Sequence, residues 1–213
     1  MVPVTTSVVA FFAGRTDDKV WHYALCDTLQ LESRSGRIEV RMEGGSLVVA
    51  DGGHDSLMSY MRCLHRHPER RLWLTVENLT EENKADFTNA LRDALNEADV
   101  ATEQLVVESD QWDLMFKLNQ QGVCCATTLK ADGPRQLGEH ATDSVVTRLS
   151  RVVGSGCISV LIVPGPWYGT LRHVFADESV DFLIAAPQTP EWRFRMPRRR
   201  RLLKDGRLRA IAI

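Results

Sequence analysis

Apolar residues along this chain follow two alternating periods. Runs that are apolar throughout or at every second position read as strands over Val20–Leu25, Arg37–Val49 (interruptible at Gly44-Gly45), Leu72–Val76, Gln104–Glu108, Val123–Thr128, Ile158–Val163, Asp181–Ala186 and Leu208–Ile213. Between them the spacing becomes helical. Leu57, Met58, Met61, Leu64 and His65 form one stripe, which stops before Pro68. Phe87, Leu91, Ala94, Leu95 and Ala98 form another, with Thr80 as its N-cap and Glu81 and Glu82 at the positive end of the dipole. A third stripe starts at Asp110 and uses Leu114, Met115 and Leu118. A fourth uses Val145, Val146, Leu149, Val152 and Val153 and closes at Gly154 and Gly156.

Strands alternating with helices imply crossover connections and a parallel sheet. Eight strands predict a compact α/β chain closed as a (β/α)8 TIM barrel, near the short limit for that fold, with brief helices after the first and seventh strands. The domain would cover residues 1–213, with 1–18 as a leader segment and 187–206 as a basic connection before the last strand. The alternative is an open doubly wound sheet. Gly44-Gly45 and Gly52-Gly53 read as turns, and no glycine-rich phosphate fingerprint follows a strand.

Composition narrows this further. At 44% hydrophobic and 25% charged, 213 residues suit one globular domain and exclude disordered and collagen-like chains. There is no apolar run of membrane-spanning length and no basic region before the first apolar stretch, so a soluble, cytoplasmic protein is expected. Cys26, Cys63, Cys124, Cys125 and Cys157 make an odd count without a C-x-x-C pair. They read as reduced, small hydrophobes and not as a zinc site or disulfide framework.

The net charge of −2 hides a local excess: Arg193 to Arg209 holds nine basic residues and one acidic residue. Arg193, Arg195, Arg198, Arg199, Arg200 and Arg201, interleaved with Trp192 and Phe194, could meet nucleic acid or an anionic membrane, although such runs are more often simply solvated.

In a barrel, the residues that point inward near strand ends carry the chemistry. Apolar Ile38, Val40 and Met42 leave Glu39 and Arg41 on the opposite parity; Leu72, Leu74 and Val76 leave Trp73, Thr75 and Glu77; Leu105 and Val107 leave Val106 and Glu108. Glu39, Arg41, Glu77 and Glu108 would therefore surround one mouth, with His22 added from the first strand.

The succession His22, Arg37-Ile-Glu39-Val-Arg41, Leu47-Val-Val-Ala-Asp51, Arg71-Leu-Trp-Leu-Thr75-Val-Glu77 and Leu105-Val-Val-Glu108-Ser109 resembles the glycerophosphodiester phosphodiesterase superfamily of PLC-like barrels, which also includes menorin-like proteins and the spider-toxin phospholipases D. The resemblance covers about residues 19 to 130. It implies a TIM barrel that hydrolyses phosphodiesters with a divalent cation. It matches His22 to the catalytic histidine, Glu39 to a metal-binding glutamate, His54 to a second histidine a few residues late, and Glu108-Ser109 to the fourth strand. It also exposes departures: Arg41 stands where the family has a metal-binding aspartate, and Thr75-Val-Glu77 where it has E-x-K.

Those departures change the electrostatics. A guanidinium about 4 Å from a divalent ion costs about 8 kcal/mol at an effective dielectric of about 20. The resemblance thus implies an impaired metal site and no cofactor, with Arg41 and Glu77 paired across the mouth. The mouth would then bind a small phosphorylated or acidic ligand through Arg41, Glu77, Trp73 and Thr75, or serve a scaffold role. The alternative is an active phosphodiesterase in which Glu39, Glu77 and Glu108 rebuild a Ca2+ or Mg2+ site and His22 is the acid or base.

Other groups read as structural. His65 and His67 favour a helix C-terminus, Ser109 lacks a nucleophile elbow, and Pro164-Gly165-Pro166-Trp167-Tyr168-Gly169 reads as a rigid loop carrying aromatics over the mouth.

Overall fold

In the computed structural model, residues 37–50, 56–66, 68, 72–131, 134–184 and 208–211 are described. The predicted strand Val20–Leu25, the leader 1–18 and the basic connection 187–206 lie outside them.

The run predicted as one strand is a hairpin. β1 (Arg37–Glu43) turns at Gly44-Gly45 and returns as β2 (Ser46–Val49), pairing antiparallel with Val40 opposite Val49 and Glu43 opposite Ser46. Both turn residues have positive φ, +55° and +81°, as a two-residue primed turn requires. Next come α1 (Leu57–Arg66), β3 (Leu72–Val76) and α2 (Lys84–Ala98). A short 3-10 turn, Thr102–Gln104, leads into β4 (Leu105–Glu108), and another, Trp112–Met115, leads into α3 (Phe116–Gln120). β5 (Cys124–Thr128), α4 (Pro134–Leu137), α5 (Glu139–Gly154) and β6 (Val160–Val163) follow. The last elements are α6 (Gly165–Val174), β7 (Asp181–Ile184) and β8 (Leu208–Ile211).

The strands form one eight-stranded sheet in the order β2-β1-β3-β4-β5-β6-β7-β8, parallel except for the hairpin. From β1 onward, spatial order follows chain order without reversal. A doubly wound sheet needs a reversal, so that alternative is set aside, and the winding is that of a (β/α) barrel. Among the described residues β2 and β8 are the two ends of the sheet and no pairing joins them.

The two faces differ as the parity predicts. On one, Ile38, Val40, Leu72, Leu74, Leu105, Val107, Leu161 and Val163 pack with Leu64, Phe87, Leu91, Leu149, Val152 and Trp167 of the helices as the main core. On the other, Trp73, Val106, Ala126, Val160, Ile162 and Leu183 form a second, smaller cluster that draws on strand residues alone. Helices on one face and an apolar floor of strand residues on the other position the site described below.

Several local expectations are corrected. α2 starts at Lys84, not directly after Thr80: the Asn83 N–H donates to Thr80 Oγ1 (3.3 Å) and the Thr80 N–H to Asn83 Oδ1 (2.8 Å), a reciprocal turn that precedes the first helical residue. Pro164 to Gly169 is not a loop over the mouth but the start of α6, with a proline in its first turn. Trp167 and Tyr168 are buried in the main core, and Tyr168 meets Phe182 edge to face. Cys63 in α1 is disulfide-bonded, whereas Cys124, Cys125 and Cys157 are free, so the expectation of reduced cysteines holds for these three and not for Cys63. Among the described residues no helix is long and apolar enough to cross a membrane.

Candidate functional site

Strand register sorts the inner face into rows. Glu39 of β1 lies opposite Thr75 of β3, Thr75 opposite Glu108 of β4, Glu108 opposite Ala126 of β5, Ala126 opposite Val160 of β6, and Val160 opposite Asp181 of β7. One row nearer the strand C-termini stand Arg41, Glu77 and Thr128. One row deeper stand Trp73, Val106 and Cys124. Alternation along the pleat therefore puts Glu39, Arg41, Glu77 and Glu108 at one end of one face, as expected.

What each does there is more specific. Glu108 is buried at 6% exposure and Trp73 at 2%. The Trp73 indole Nε1–H reaches up from the deeper row and donates to Glu108 Oε2 at 2.8 Å, and the Thr128 hydroxyl reaches down and donates to Oε1 at 2.5 Å. Three neighbouring strands are thus stitched through one carboxylate. Trp73, expected to touch ligand, is instead floor. Thr75 is half-buried in the middle row, while Glu39 and Glu77 are exposed.

Arg41 does not pair with Glu77. Its Nε and Nη2 both converge on Glu43 Oε1 at 2.6 Å, and the two side chains are 43% and 53% exposed. The reason is local: residues two apart in a strand share a face, so Glu43 is nearer than any group on β3. Glu43 lies at the same end of the strand as the proposed mouth.

Three groups at this end were not foreseen. Thr128 supplies the second donor to Glu108; the indole of a buried inner-face Trp73 was the available signal that a buried acceptor had to exist nearby. Lys130, just past β5, meets Asp110, just past β4, at 2.6 Å, both exposed. Asn78 uses its side-chain amide to pair with the backbone of Met42. Ser109 is buried and its Oγ accepts from the Gln111 N–H (3.1 Å), which holds the turn after β4. His22, His54 and the arginine run from Arg193 to Arg201 lie outside the described residues.

Among the described residues no three His, Cys, Asp or Glu side chains converge as cation ligands. Glu39, Glu77 and Glu108 share a face without forming such a group. The donors aimed at Glu108 are hydrogens, which a cation would have to displace. The described residues therefore do not fit a divalent ion.

No protein-family model and no curated protein matches the chain. Among solved structures it is similar to a candidate glycerophosphoryl diester phosphodiesterase from Silicibacter pomeroyi DSS-3, with a TM-score of 0.50 at 13% identity over 78% of this chain and 53% of that one. A glycerophosphodiester phosphodiesterase from Parabacteroides distasonis ATCC 8503 gives 0.49 at 10% identity over 83% and 77%. A calcium-dependent phosphoinositol-specific phospholipase C from a Gram-negative bacterium, Pseudomonas sp, gives 0.47 at 9% identity over 83% and 79%. The chain spans about half the length of the first of these proteins. The likeness to the first, together with the strand order, gives this chain a (β/α) barrel-type fold like that of this phosphodiesterase. At such identity it speaks to the fold alone.

Proposed function

We propose that this chain is a divergent phosphodiesterase-fold protein that binds a small phosphorylated or acidic ligand at the C-terminal ends of its strands through Arg41, without help from a divalent cation. The observation that carries this reading is the placement of Arg41: a part-exposed guanidinium on the inner face, paired with Glu43, where the resembled family has a metal-binding aspartate. An incoming phosphate or carboxylate can take the place of Glu43 and accept from the guanidinium fork in bidentate fashion. Thr75 lies half-buried in the row below, and exposed Glu77 disfavours ligands without a hydroxyl or cationic group beside the anion.

The competing reading is a metal-dependent phosphodiesterase with His22 as acid or base. It rests on the fold likeness, and the described carboxylates do not support its metal.

Calorimetric titration of the full chain with sn-glycerol 3-phosphate in excess EDTA tests the proposal. Binding in EDTA that falls at least about tenfold in Arg41→Ala supports it, that factor being the least expected for loss of a charge-assisted bidentate pair. Turnover of glycerophosphodiesters that requires Ca2+ or Mg2+ and disappears in His22→Ala overturns it.

A further inference from the structure

We propose that Glu108, together with Trp73 and Thr128, is a positioning device that closes the floor of the inner face, so that ligands are confined to the rim above it and no cation enters at this carboxylate. The proposal does not rest on ligand binding at Arg41.

The argument begins with burial. A carboxylate at 6% exposure has lost nearly all its water and must be compensated inside the protein. Each oxygen receives its own donor: the Trp73 indole N–H on Oε2 at 2.8 Å and the Thr128 hydroxyl on Oε1 at 2.5 Å, both in the short range of hydrogen bonds to a charged acceptor. The donors arrive from opposite directions, one from the row below on β3 and one from the row above on β5. The carboxylate is therefore held along the sheet and across it, and it adds side-chain hydrogen bonds between three strands already joined by backbone ladders and apolar packing.

The same arrangement opposes a cation. An indole N–H has no lone pair to offer a metal, and its hydrogen presents positive charge to the ligand atom a cation would need. Among the described residues, Ala126 lies opposite Glu108 on β5 and Trp73 and Val106 lie beneath it, while Thr75 on β3 and Thr128 on β5 bring two neutral hydroxyls, where a calcium ion would need roughly six to eight oxygens. Trp73 is in turn fixed by the Val106, Ala126, Val160, Ile162 and Leu183 cluster, whose shape depends on where the indole is anchored. Glu108 thus acts on the floor through Trp73.

The test follows the indole proton of Trp73 in the full chain labelled at tryptophan Nε1, assigned by the signal missing in Trp73→Phe. The expected result is a proton slow to exchange with solvent, unmoved by CaCl2 or MgCl2, and exchanging at least about tenfold faster in Glu108→Leu. Thr128→Val, which removes one donor without changing shape much, should shift the same resonance while leaving the chain folded, and serves should Glu108→Leu fail to fold. Ca2+ or Mg2+ moving the wild-type resonance in a Glu108-dependent manner would overturn the proposal. So would exchange in Glu108→Leu as slow as in wild type, or, if that variant does not fold, a resonance unshifted in Thr128→Val. Failure of glycerol phosphate to bind would remove the proposed function and leave this reading standing.

Discussion

The side-chain amide of Asn78 occupies the place of a strand backbone opposite Met42: its Oδ1 accepts from the Met42 N–H and its Nδ2 donates to the Met42 carbonyl, each at 2.9 Å. β3 ends at Val76, and the Glu77 N–H still reaches Val40 O at 3.1 Å, so the amide extends the β1–β3 ladder past the point where the chain has begun to turn. The Asn78 carbonyl is in turn held by Asn83 Nδ2 at 2.7 Å, which links the strand end to the entry of α2. Replacing Asn78 with Ala leaves two part-buried backbone groups of Met42 unpaired and should cost about 1–3 kcal/mol. Asn78→Asp, which keeps an acceptor and loses the donor, should retain part of that stability. Urea denaturation with an unchanged slope and a lowered midpoint is the expected outcome.

The hairpin makes a second prediction. Gly44 and Gly45 both have positive φ, and nothing lies within 4 Å of a Cβ built on either, so backbone conformation alone restricts these sites. Gly44→Asn should be nearly neutral, because Asn tolerates the left-handed region. Gly45→Val should destabilise by about 1–2 kcal/mol. Thermal melts of the two variants beside wild type will separate conformational strain from loss of packing.

These two features also show how far the sequence could be read. The period-two pattern placed β3 at Leu72–Val76 to the residue and separated the main core from the inner face correctly, because a strand buried on both sides by different partners still keeps its alternation. Glu39, Arg41, Glu77 and Glu108 were legible as one face for the same reason. Their partners were not. Arg41 turned to Glu43 and Glu108 to Trp73 and Thr128, since partner choice depends on side-chain reach between rows, which no one-dimensional pattern contains. The helix at Gly165 was hidden by two prolines and two glycines that read as loop, although Pro166 in a first turn is compatible with a helix start.

Cys125 gives a pH-dependent prediction. Burial pushes its thiol up from an ordinary value of 9.0, with the neighbouring Cys124 and Cys157 adding to the effect. The folded state therefore holds this proton where the unfolded state releases it. Its contribution is fully present below pH 9 and is lost as pH rises above it, by at most about 1.4 kcal/mol per pH unit. Chemical denaturation from pH 8 to 10.5 should show this decline, and Cys125→Ala should flatten it while lowering stability at neutral pH through the lost packing. The native thiol should also resist alkylation at neutral pH, where an exposed cysteine reacts.

Arg41 and Glu43 separate stability from recognition. Their pair is short at 2.6 Å, but both side chains are about half exposed, so water and salt screen the interaction. Arg41→Ala and Glu43→Ala should each change stability by no more than about 1 kcal/mol. Their effects on anion binding should be opposite. Arg41→Ala removes the guanidinium and with it the binding of inorganic phosphate, whereas Glu43→Ala removes a competing carboxylate and should tighten binding several-fold at low salt, with the difference shrinking as ionic strength rises. Phosphate titrations of both variants at two salt concentrations decide the matter: equal loss in the two would mean that the pair acts as a unit and Glu43 orients Arg41, while no change in either would place the ligand elsewhere on the rim.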